Sequence, residues 1–509
     1  SLGTTTDHCT ANQNVLIGTK AGYMNLSGNH NVGIGDEALY DLTTGDDNIA
    51  IGYNSINITT GSKNTVIGNY AGNAITTEEN QTFIGYKAGQ HTVSASRALH
   101  IGYYAGLYLA GGGDDNVIVG GLAMGGGDTT TKTNNTAYKN VAFGYKALGG
   151  DCPDDTSLTA FYNVAIGYEA MRYAEGADYN MCLGAFAGTS MKSGIYNVAI
   201  GYNAFKDAED AGSNIAIGAN ALRSAVDDNK HIAIGYESLY NVNNSNHSGY
   251  NTGIGYQAGK FITTGKYNTF IGGLAGVGTS GSEVTEHYNT GIGYKALYAI
   301  ETNGGYNVAI GGKAGLAITT GDYNTLVGHQ AGDGITTGAN NTGVGTDVAF
   351  DVDANNQICI GYQATTTALN SVKIGNASIA NANIQVDWTI DSDKRIKKDI
   401  ENNTLGLDFI NDLKPRKYKK LHPADWDKEI REKRYEDGVR DEFDDEKVWD
   451  GLIAQEVKET IEKSGTSFSG WSEDANGKQG IQYSALVVPL INAVQELSKE
   501  VDELKRRLK

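Results

Sequence analysis

Proline and cysteine are scarce in this chain of 509 residues, with four of each, whereas glycine is abundant at 68. Disordered low-complexity chains are usually rich in proline and glycine together. Because 40% of the residues are also hydrophobic, the composition indicates an ordered, glycine-punctuated chain. The cysteines, Cys9, Cys152, Cys182 and Cys359, form no CxxC or Cys/His cluster, which argues against a zinc site. We expect Cys182 and Cys359 to be small buried residues rather than disulfide partners.

Positive charge is also in short supply, since 40 Lys and Arg stand against 59 Asp and Glu and the formal net charge is −19. This balance argues against nucleic acid or an anionic membrane surface as the main partner. No apolar run approaches the ~18 residues of a membrane span, so we expect no membrane insertion. The opening residues, SLGTTTDHCT, lack the layout of a signal peptide. No motif predicts a metal or cofactor site.

The composition changes sharply near residue 391. Residues 392–509 carry 23 of the 40 Lys and Arg and 26 of the 59 Asp and Glu, whereas residues 1–391 carry 61 of the 68 glycines. The sequence therefore predicts two different domains, a sparsely charged one over residues 1–391 and a densely charged one over residues 392–509.

One short phrase recurs through the first domain, as in NVAIGYNAF at residues 197–205 and NTGIGYQAG at residues 251–259. We count 21 copies between residues 14 and 379, most often 17 residues apart, which is typical of a solenoid. Each copy joins a β-prone run to a glycine, a segment ending in A-G or A-L, and a polar turn. The glycine suits a corner with positive φ. The asparagine that opens most copies suits a ladder of hydrogen bonds along the stack.

The alternation within each copy predicts which side chains are buried. Val or Thr and then Ile stand at alternate positions on one face of a short strand, and we predict that their columns form the continuous core of the stack. Layers about 4.8 Å apart would build a parallel β-roll or β-solenoid shaft. Tyr follows the glycine in ten copies. These rings suit packing against a neighbouring chain, which we favour, or stacking on sugar rings.

The repeated phrase resembles the head repeat of trimeric autotransporter adhesins, in which NSVAIG-type units build a left-handed β-roll and three rolls pack side by side. The resemblance covers about residues 14–379 and implies a trimeric shaft, with a longer period than that of the adhesins. The spacing stretches further at four loops, which are either binding sites displayed by the shaft or tolerated drift. These loops are residues 125–140, 149–163, 241–251 and 278–289.

The second domain carries its own motifs, which are SDKRIKKDI from residue 392, LKPRKY from residue 413, GLIAQEV from residue 451 and YSALVVPLINAV from residue 483. Their order closely resembles the C-terminal intramolecular chaperone of phage endosialidase tailspikes, a self-cleaving serine peptidase domain. The resemblance covers about residues 391–509. It implies a small α+β domain that assembles the shaft and then cuts itself away.

The resemblance also implies the cleavage site. The scissile bond would join Asp391 to Ser392, with Ser392 as the nucleophile and Lys397 as the general base, while Lys398 is a rival for the base. A hydroxyl is a poor nucleophile until a base takes its proton, and a lysine is a base only as the free amine, which burial or nearby positive charge favours. Further family positions are matched by residues with a supporting or purely structural role, namely Asp393, Gln455 and Glu456.

The C-terminal residues place apolar side chains in alternating steps of three and four, at Val487, Leu490, Val494, Leu497, Val501, Leu504 and Leu508. Such a heptad seam predicts a coiled-coil helix, which we place over residues 484–509. Val and Leu in these positions would favour a dimer in an isolated coiled coil. The trimer is therefore implied by the resemblance and not by the seam.

The sequence thus predicts a mainly β chain with a trimeric repeat shaft, followed by a small α+β chaperone domain. The two resemblances imply a phage tail fibre or spike on the virion, which binds a host cell-surface glycan or protein receptor. Its only reaction would be one self-cleavage per chain. Two alternatives remain open. One is a glycan-degrading tailspike, which requires a carboxylate pair that we do not find, and the other is an adhesin on an extracellular cell surface that uses the same chaperone module.

Overall fold

A computed structural model describes residues 10–93, 97–109, 115–125, 135–149, 158–227, 229–243, 249–279, 284–353, 355–366, 369–379, 391–431, 435, 440, 443–474 and 476–508. Cys9, Cys152 and much of the four long loops lie outside these residues. The chain forms two compact units, Ser1–Asn341 and Thr342–Lys509. The predicted boundary between residues 391 and 392 stays a prediction.

The first unit is a parallel β-solenoid, as predicted, in which every strand has three residues and ends just before a repeat glycine. Each strand pairs in parallel with the next at equivalent positions, so that Val198 of one rung lies opposite Ile215 of the following rung. The strands are β1 (Val15–Ile17), β2 (Val32–Ile34), β3 (Ile49–Ile51), β4 (Thr65–Ile67), β5 (Thr82–Ile84), β6 (Leu99–Ile101), β7 (Val117–Val119), β8 (Val141–Phe143), β9 (Val164–Ile166), β10 (Met181–Leu183), β11 (Val198–Ile200), β12 (Ile215–Ile217), β13 (Ile232–Ile234), β14 (Thr252–Ile254), β15 (Thr269–Ile271), β16 (Thr290–Ile292), β17 (Val308–Ile310) and β18 (Thr325–Val327).

The core lies on the opposite side of each strand from the one predicted. In β11 the middle residue, Ala199, is fully buried, whereas Val198 and Ile200 are only half-buried. The predicted core of Val and Ile columns was therefore wrong. The chain of each rung closes on that side of the strand, where Ala204 and Phe205 are also fully buried. The enclosed middle position accepts side chains from alanine up to Phe83 and Phe270. The β-branched residues on either side of it consequently form two columns on the outside.

The two described cysteines occupy the same inner position. Cys182 is the middle residue of β10, and Cys359 is the middle residue of a strand in the second unit. Both thiols are free and buried, and burial raises the pKa of Cys182 to about 12 and that of Cys359 to about 11. They serve as small core residues, as the sequence predicted.

The repeat glycine turns the chain at the end of every strand. Its φ lies between +130° and +143° in each rung of the first unit, a region that side chains rarely enter, which confirms the predicted corner. Space is equally restrictive, because a Cβ at Gly201 would lie 2.7 Å from the carbonyl group of Gly218 in the next rung.

The asparagine before most strands forms the predicted ladder. The Asn180 Oδ1 atom accepts the backbone N–H of Asn197 at 2.9 Å and its side-chain amide at 3.0 Å. The Asn197 Nδ2 group also donates to the carbonyl of Ala211 at 2.8 Å, and the Asn197 Oδ1 atom accepts the backbone N–H of Asn214 at 3.0 Å. Each buried side chain thus satisfies backbone groups that stacking would otherwise leave without partners.

We expect Asn197→Ala to lower the free energy of unfolding of the surrounding rungs by about 2–4 kcal/mol. The substitution leaves the buried N–H of Asn214 and the carbonyl of Ala211 without partners, and each such group costs about 1–3 kcal/mol. Native-state hydrogen exchange of the amides in β11 and β12 measures this directly.

The matched control is Asn69→Ala. The Asn69 side chain is exposed and accepts one hydrogen bond from the backbone N–H of Tyr53, which water can replace. Equal protection losses for Asn69→Ala and Asn197→Ala would contradict a stabilising role for the ladder.

A buried histidine makes one rung sensitive to acid. His100 is the middle residue of β6, is fully buried, and stacks on Phe83 with ring centroids 4.4 Å apart. Burial lowers its pKa from 6.5 to about 3, so the folded rung keeps His100 neutral while the unfolded chain takes up a proton. The free energy of unfolding should fall as the pH drops from about 6.5 towards 3, by at most about 1.4 kcal/mol per pH unit.

The substitution His100→Phe should abolish this pH dependence, since Phe270 fills the equivalent position in β15. Hydrogen exchange of β5 to β7 at several pH values, compared between parent and variant, provides the measurement. Identical pH slopes in the two proteins would show that another group is responsible.

The second unit starts with three more rungs and continues into a small α+β domain, as predicted. The rungs pair in parallel, and the strand pairs of the α+β domain are antiparallel. The buried side chains of that domain include Leu405, Phe409, Val457 and Phe468. The elements are β19 (Thr342–Val344), β20 (Ile358–Ile360), β21 (Val372–Ile374), α1 (Leu407–Asp412), β22 (Arg416–Lys419), β23 (Val448–Gly451), α2 (Ala454–Ser464), β24 (Trp471–Glu473), β25 (Gln479–Ile481) and α3 (Val487–Arg507), with single 3-10 turns at Lys394–Ile396, Pro423–Asp425 and Tyr483–Leu486.

Candidate functional site

A single 3-10 turn, Lys394–Ile396, follows the predicted scissile bond. Asp393 caps this turn, because its carboxylate accepts the backbone N–H of Arg395 at 2.8 Å. At the other end, the backbone N–H of Lys397 donates to the carbonyl of Lys394 at 3.2 Å. The turn therefore folds the chain back so that the side chains on either side of it can meet.

The two residues that meet are Ser392 and Lys397. The Lys397 Nζ atom lies 2.6 Å from the Ser392 Oγ atom, within hydrogen-bonding distance. A nucleophile and its base need a separation of about 2.6–3.2 Å. The structure thus places side by side the serine and the lysine that the sequence assigned to the dyad, next to Asp391. Their catalytic roles remain a prediction.

Asp393 holds the turn rather than the dyad. Its carboxylate forms an ion pair with the guanidinium of Arg395, with Oδ2 and Nη2 2.7 Å apart. The side-chain hydrogen bonds from Arg395, together with the one from its backbone, lower the pKa of Asp393, and the same pairing raises the pKa of Arg395. The observed contacts of Asp393 are those of a structural cap.

The other predicted residues do not bind the dyad serine. Glu456 binds Arg416 of β22 through two hydrogen bonds of 2.6 and 3.0 Å, which lower the pKa of the Glu456 carboxyl. This pair ties α2 to β22. Gln455 and Lys398 are both exposed. Among the described residues, none of these three side chains forms a hydrogen bond with Ser392.

The dyad lies on a fully exposed segment. Every residue from 391 to 400 is exposed, including two large apolar side chains, Ile396 at 67% and Ile400 at 62%. Water competes for every polar group on such a segment, and exposed isoleucines favour a surface that would cover them.

Two residues that the sequence did not single out anchor the chain downstream of the dyad. The Asn492 side-chain amide, on α3, donates to the carbonyls of Asn403 at 2.9 Å and Leu405 at 3.0 Å. One turn later, the Glu496 carboxylate accepts the backbone N–H of Leu407 at 2.6 Å. Polar residues beside a heptad seam indicate a helix surface, but nothing in the sequence says which backbone groups they bind.

The described residues include no helix that is both long and apolar enough to cross a bilayer. Within the same part of the chain, no group of three or more His, Cys, Asp or Glu side chains is arranged to hold a metal ion. A comparison of the whole chain with curated proteins finds no match. Residues 392–466, which begin at the predicted nucleophile Ser392 and include Lys397, match the family model for the chaperone of endosialidase, as the sequence motifs predicted.

Proposed function

We propose that this chain is the shaft of a phage tail fibre or spike, carried on the virion, whose C-terminal domain assembles three chains and then releases itself. A β-solenoid followed by a segment similar to the chaperone of endosialidase fits a protein of this type. The observation that carries the proposal is the 2.6 Å contact between Lys397 and Ser392 at the start of that segment.

The cleavage of the Asp391–Ser392 bond needs only Ser392, Lys397 and water. The Lys397 amine accepts the proton of the Ser392 hydroxyl, and Oγ attacks the carbonyl carbon of Asp391, which precedes it directly in the chain. The C–N bond breaks as the amide nitrogen takes the proton back from Lys397, and Asp391 is then joined to Ser392 by an ester. Water hydrolyses this ester to a carboxylate on Asp391 and a free amine and hydroxyl on Ser392.

Assembly would supply the environment that this reaction needs. Burial favours the uncharged amine over the ammonium ion, and the segment 391–400 is fully exposed in the single chain. A neighbouring chain that covers Ile396 and Ile400 would also cover Lys397. Cleavage would then depend on assembly, so that only a correctly assembled shaft loses its chaperone.

Two apolar surfaces of the single chain support assembly from identical copies. The seam of α3, from Val487 to Leu508, is uncovered, with exposed fractions of 39–87%. The outer columns of Val, Thr and Ile run through the rungs of the solenoid, again half-exposed. Because every rung offers nearly the same columns, two shafts could pair with an offset of whole rungs. A C-terminal domain that trimerises first would fix the alignment.

Removing that domain would also make unfolding of the shaft hard to reverse. Once the template is lost, the shaft persists because of its unfolding barrier, which is the usual basis of durability in large assemblies. Such durability suits a particle that must survive outside a cell until it attaches to a host surface glycan or protein.

The seam variant Leu497→Asp should prevent both assembly and cleavage. Leu497 is an exposed seam residue of α3, and a charge there cannot be buried against a partner without a large cost. We expect native mass spectrometry to give the mass of three chains for the parent and of one chain for the variant. Denaturing mass spectrometry should show cleavage at least about tenfold slower in the variant.

Ser498→Asp is the matched control, because Ser498 lies next to Leu497 but outside the seam and is exposed. It should assemble and be cut like the parent. A parent that is monomeric, or a Leu497→Asp monomer that is cut at the parental rate, would contradict the coupling of assembly to cleavage.

A further inference from the structure

A column of tyrosines lies on the surface of the solenoid at the position just before the ladder asparagine. Five consecutive rungs carry it, and their rings stack with centroids 5.3, 4.8, 5.2 and 4.9 Å apart and planes within 15° of each other. We call this set the tyrosine ladder, which consists of Tyr250, Tyr267, Tyr288, Tyr306 and Tyr323.

The backbone at this position disfavours tyrosine. All five residues have φ between +48° and +61°, the left-handed region that bulky side chains seldom occupy and that Asn tolerates best. In other rungs the same position holds polar residues such as Ser213 and Asn340, or tyrosine again at Tyr162, Tyr179 and Tyr196, in the same conformation. Stacking of the rings offsets part of the conformational free energy that the left-handed backbone costs. Five consecutive tyrosines in this unfavourable conformation on a surface nevertheless point to a function.

The tyrosine ladder is exposed to solvent and presents both apolar and polar groups. Its rings are 43–55% exposed, and they present apolar edges together with a row of phenol hydroxyls. In the described part of the chain, the hydroxyls of Tyr267, Tyr288, Tyr306 and Tyr323 have no hydrogen-bond partner. Each can both donate and accept.

Chain assembly does not account for the ladder. The outer columns, mostly Val, Thr and Ile with Leu, Met or Phe in a few rungs, continue through all the rungs of the first unit, as packing along a whole shaft requires. The tyrosine column does not, since the same position carries His30, Asp47 and Lys63 in earlier rungs. In the described rungs it occurs in this run of five and in a second run of three, Tyr162, Tyr179 and Tyr196. Such interrupted runs suit a bound ligand better than packing along a whole shaft.

We infer that the tyrosine ladder binds an extended, uncharged linear polysaccharide that lies along the stack with one sugar per rung. Successive rings of β-1,4-linked sugars recur at nearly the distance that separates the rungs. Sugar hydroxyls match the row of phenol hydroxyls, each of which can donate and accept, and the C–H groups of the sugars add apolar contact with the hydrocarbon surface of the row. Residues 1–391 hold 17 Lys and Arg but 33 Asp and Glu, which disfavours a polyanionic chain. Polysaccharide binding itself is independent of the proposed function. Only its biological role rests on the proposed function of host attachment.

Native electrophoresis in gels that contain hydroxyethylcellulose, an uncharged β-1,4-linked polymer, tests the inference on the full-length protein. The ladder variant is Tyr267→Asn, Tyr288→Asn and Tyr306→Asn together, because Asn340 already occupies this position in the same conformation. The parent should be retarded, and the variant should bind at least about tenfold more weakly. Gels with dextran, which is α-linked, or with hyaluronan, which is anionic, should retard neither protein.

The control variant removes a stacked pair that lies outside both tyrosine columns, Tyr23→Asn with Tyr40→Asn, whose ring centroids are 5.4 Å apart. It should be retarded like the parent. Equal retardation of the parent and ladder variant, no retardation of the parent, or loss of the three-chain mass in the ladder variant would each overturn the inference, the last by assigning the tyrosines to chain packing.

Adsorption of the fluorescently labelled proteins to host cells separates this inference from the proposed function. If the ladder variant loses the polymer but still adsorbs to cells, the polysaccharide site stands and attachment uses another surface. If the parent binds the polymer through the ladder but adsorbs to no host, the site again stands while the attachment role fails.

Discussion

A chain that carries Ser392→Ala should remain a single polypeptide of 509 residues, whereas the assembled parent should separate under denaturing conditions into residues 1–391 and 392–509. The alanine removes the only hydroxyl that can attack the Asp391 carbonyl from the adjacent residue. Because no other group can form the same ester, we expect a complete loss of cleavage. Intact mass spectrometry of the denatured protein gives the answer directly.

Lys397→Ala should slow the cut by a factor of about 10²–10⁴, the usual contribution of a general base. Lys398→Ala is its matched control, since it removes the same charge from the next residue, which forms no hydrogen bond with Ser392 in the described structure. Full cleavage of Lys397→Ala together with an uncut Lys398→Ala would move the base to Lys398. Normal assembly of every variant must be established by native mass, so that a folding defect is not mistaken for a catalytic one.

The ester intermediate offers an independent check. Hydroxylamine attacks esters much faster than amides, so its addition to freshly assembled protein should leave a hydroxamate on Asp391 in place of a carboxylate. Mass spectrometry of the fragment that ends at Asp391 distinguishes the two. A carboxylate alone, at any hydroxylamine concentration, would indicate direct attack by water with Lys397 as the base.

Gly201→Ala should disrupt the rungs on either side of it, with a loss of about 2–6 kcal/mol in their free energy of unfolding. Half of this comes from a φ of +134°, which costs a residue with a side chain about 1–3 kcal/mol. The other half comes from the new methyl group 2.7 Å from the Gly218 carbonyl, an overpacking of about 1–3 kcal/mol. Hydrogen exchange in β10 to β12 measures the loss.

Gly334→Ala provides the matched control within the same unit. Nothing lies within 4 Å of a Cβ at Gly334, which is exposed and outside the left-handed region. We expect this change to alter stability by no more than about 0.5 kcal/mol. A comparable loss from both substitutions would show that glycine in this shaft serves flexibility rather than the corner.

The sequence was most informative at positions whose geometry strongly favours one type of residue. Glycine is the residue that fits the corner after each strand, and the recurring asparagine carries the donor and acceptor that a ladder needs, so the corner and the Asn197 ladder could both be predicted. Which face of each strand is buried could not be predicted, because alternation distinguishes two faces without indicating which one the rung encloses. Ala199 points inward because the rung closes on that side of the strand, a property of the closed turn and not of any single residue.

The candidate site divides in the same way. Neither spacing nor composition distinguishes Ser392 and Lys397 from a charged surface strand, and the motif resemblance was needed to select them. The 3-10 turn that brings them together depends on the Asp393 cap, which a local pattern can suggest. The anchoring of the downstream chain by Asn492 and Glu496 joins positions almost ninety residues apart, beyond the reach of any local pattern.

The uniform pairing of the rungs has a consequence for how such a shaft can evolve. Every strand meets its neighbours at equivalent residues, and the glycine corner and asparagine ladder repeat with the same period. A segment from one repeat glycine to the next can therefore be deleted or duplicated while each remaining residue still finds an equivalent partner above and below. Unequal recombination between repeats would change the shaft in whole steps of one rung. The length of the shaft can then vary by whole rungs without a change of fold.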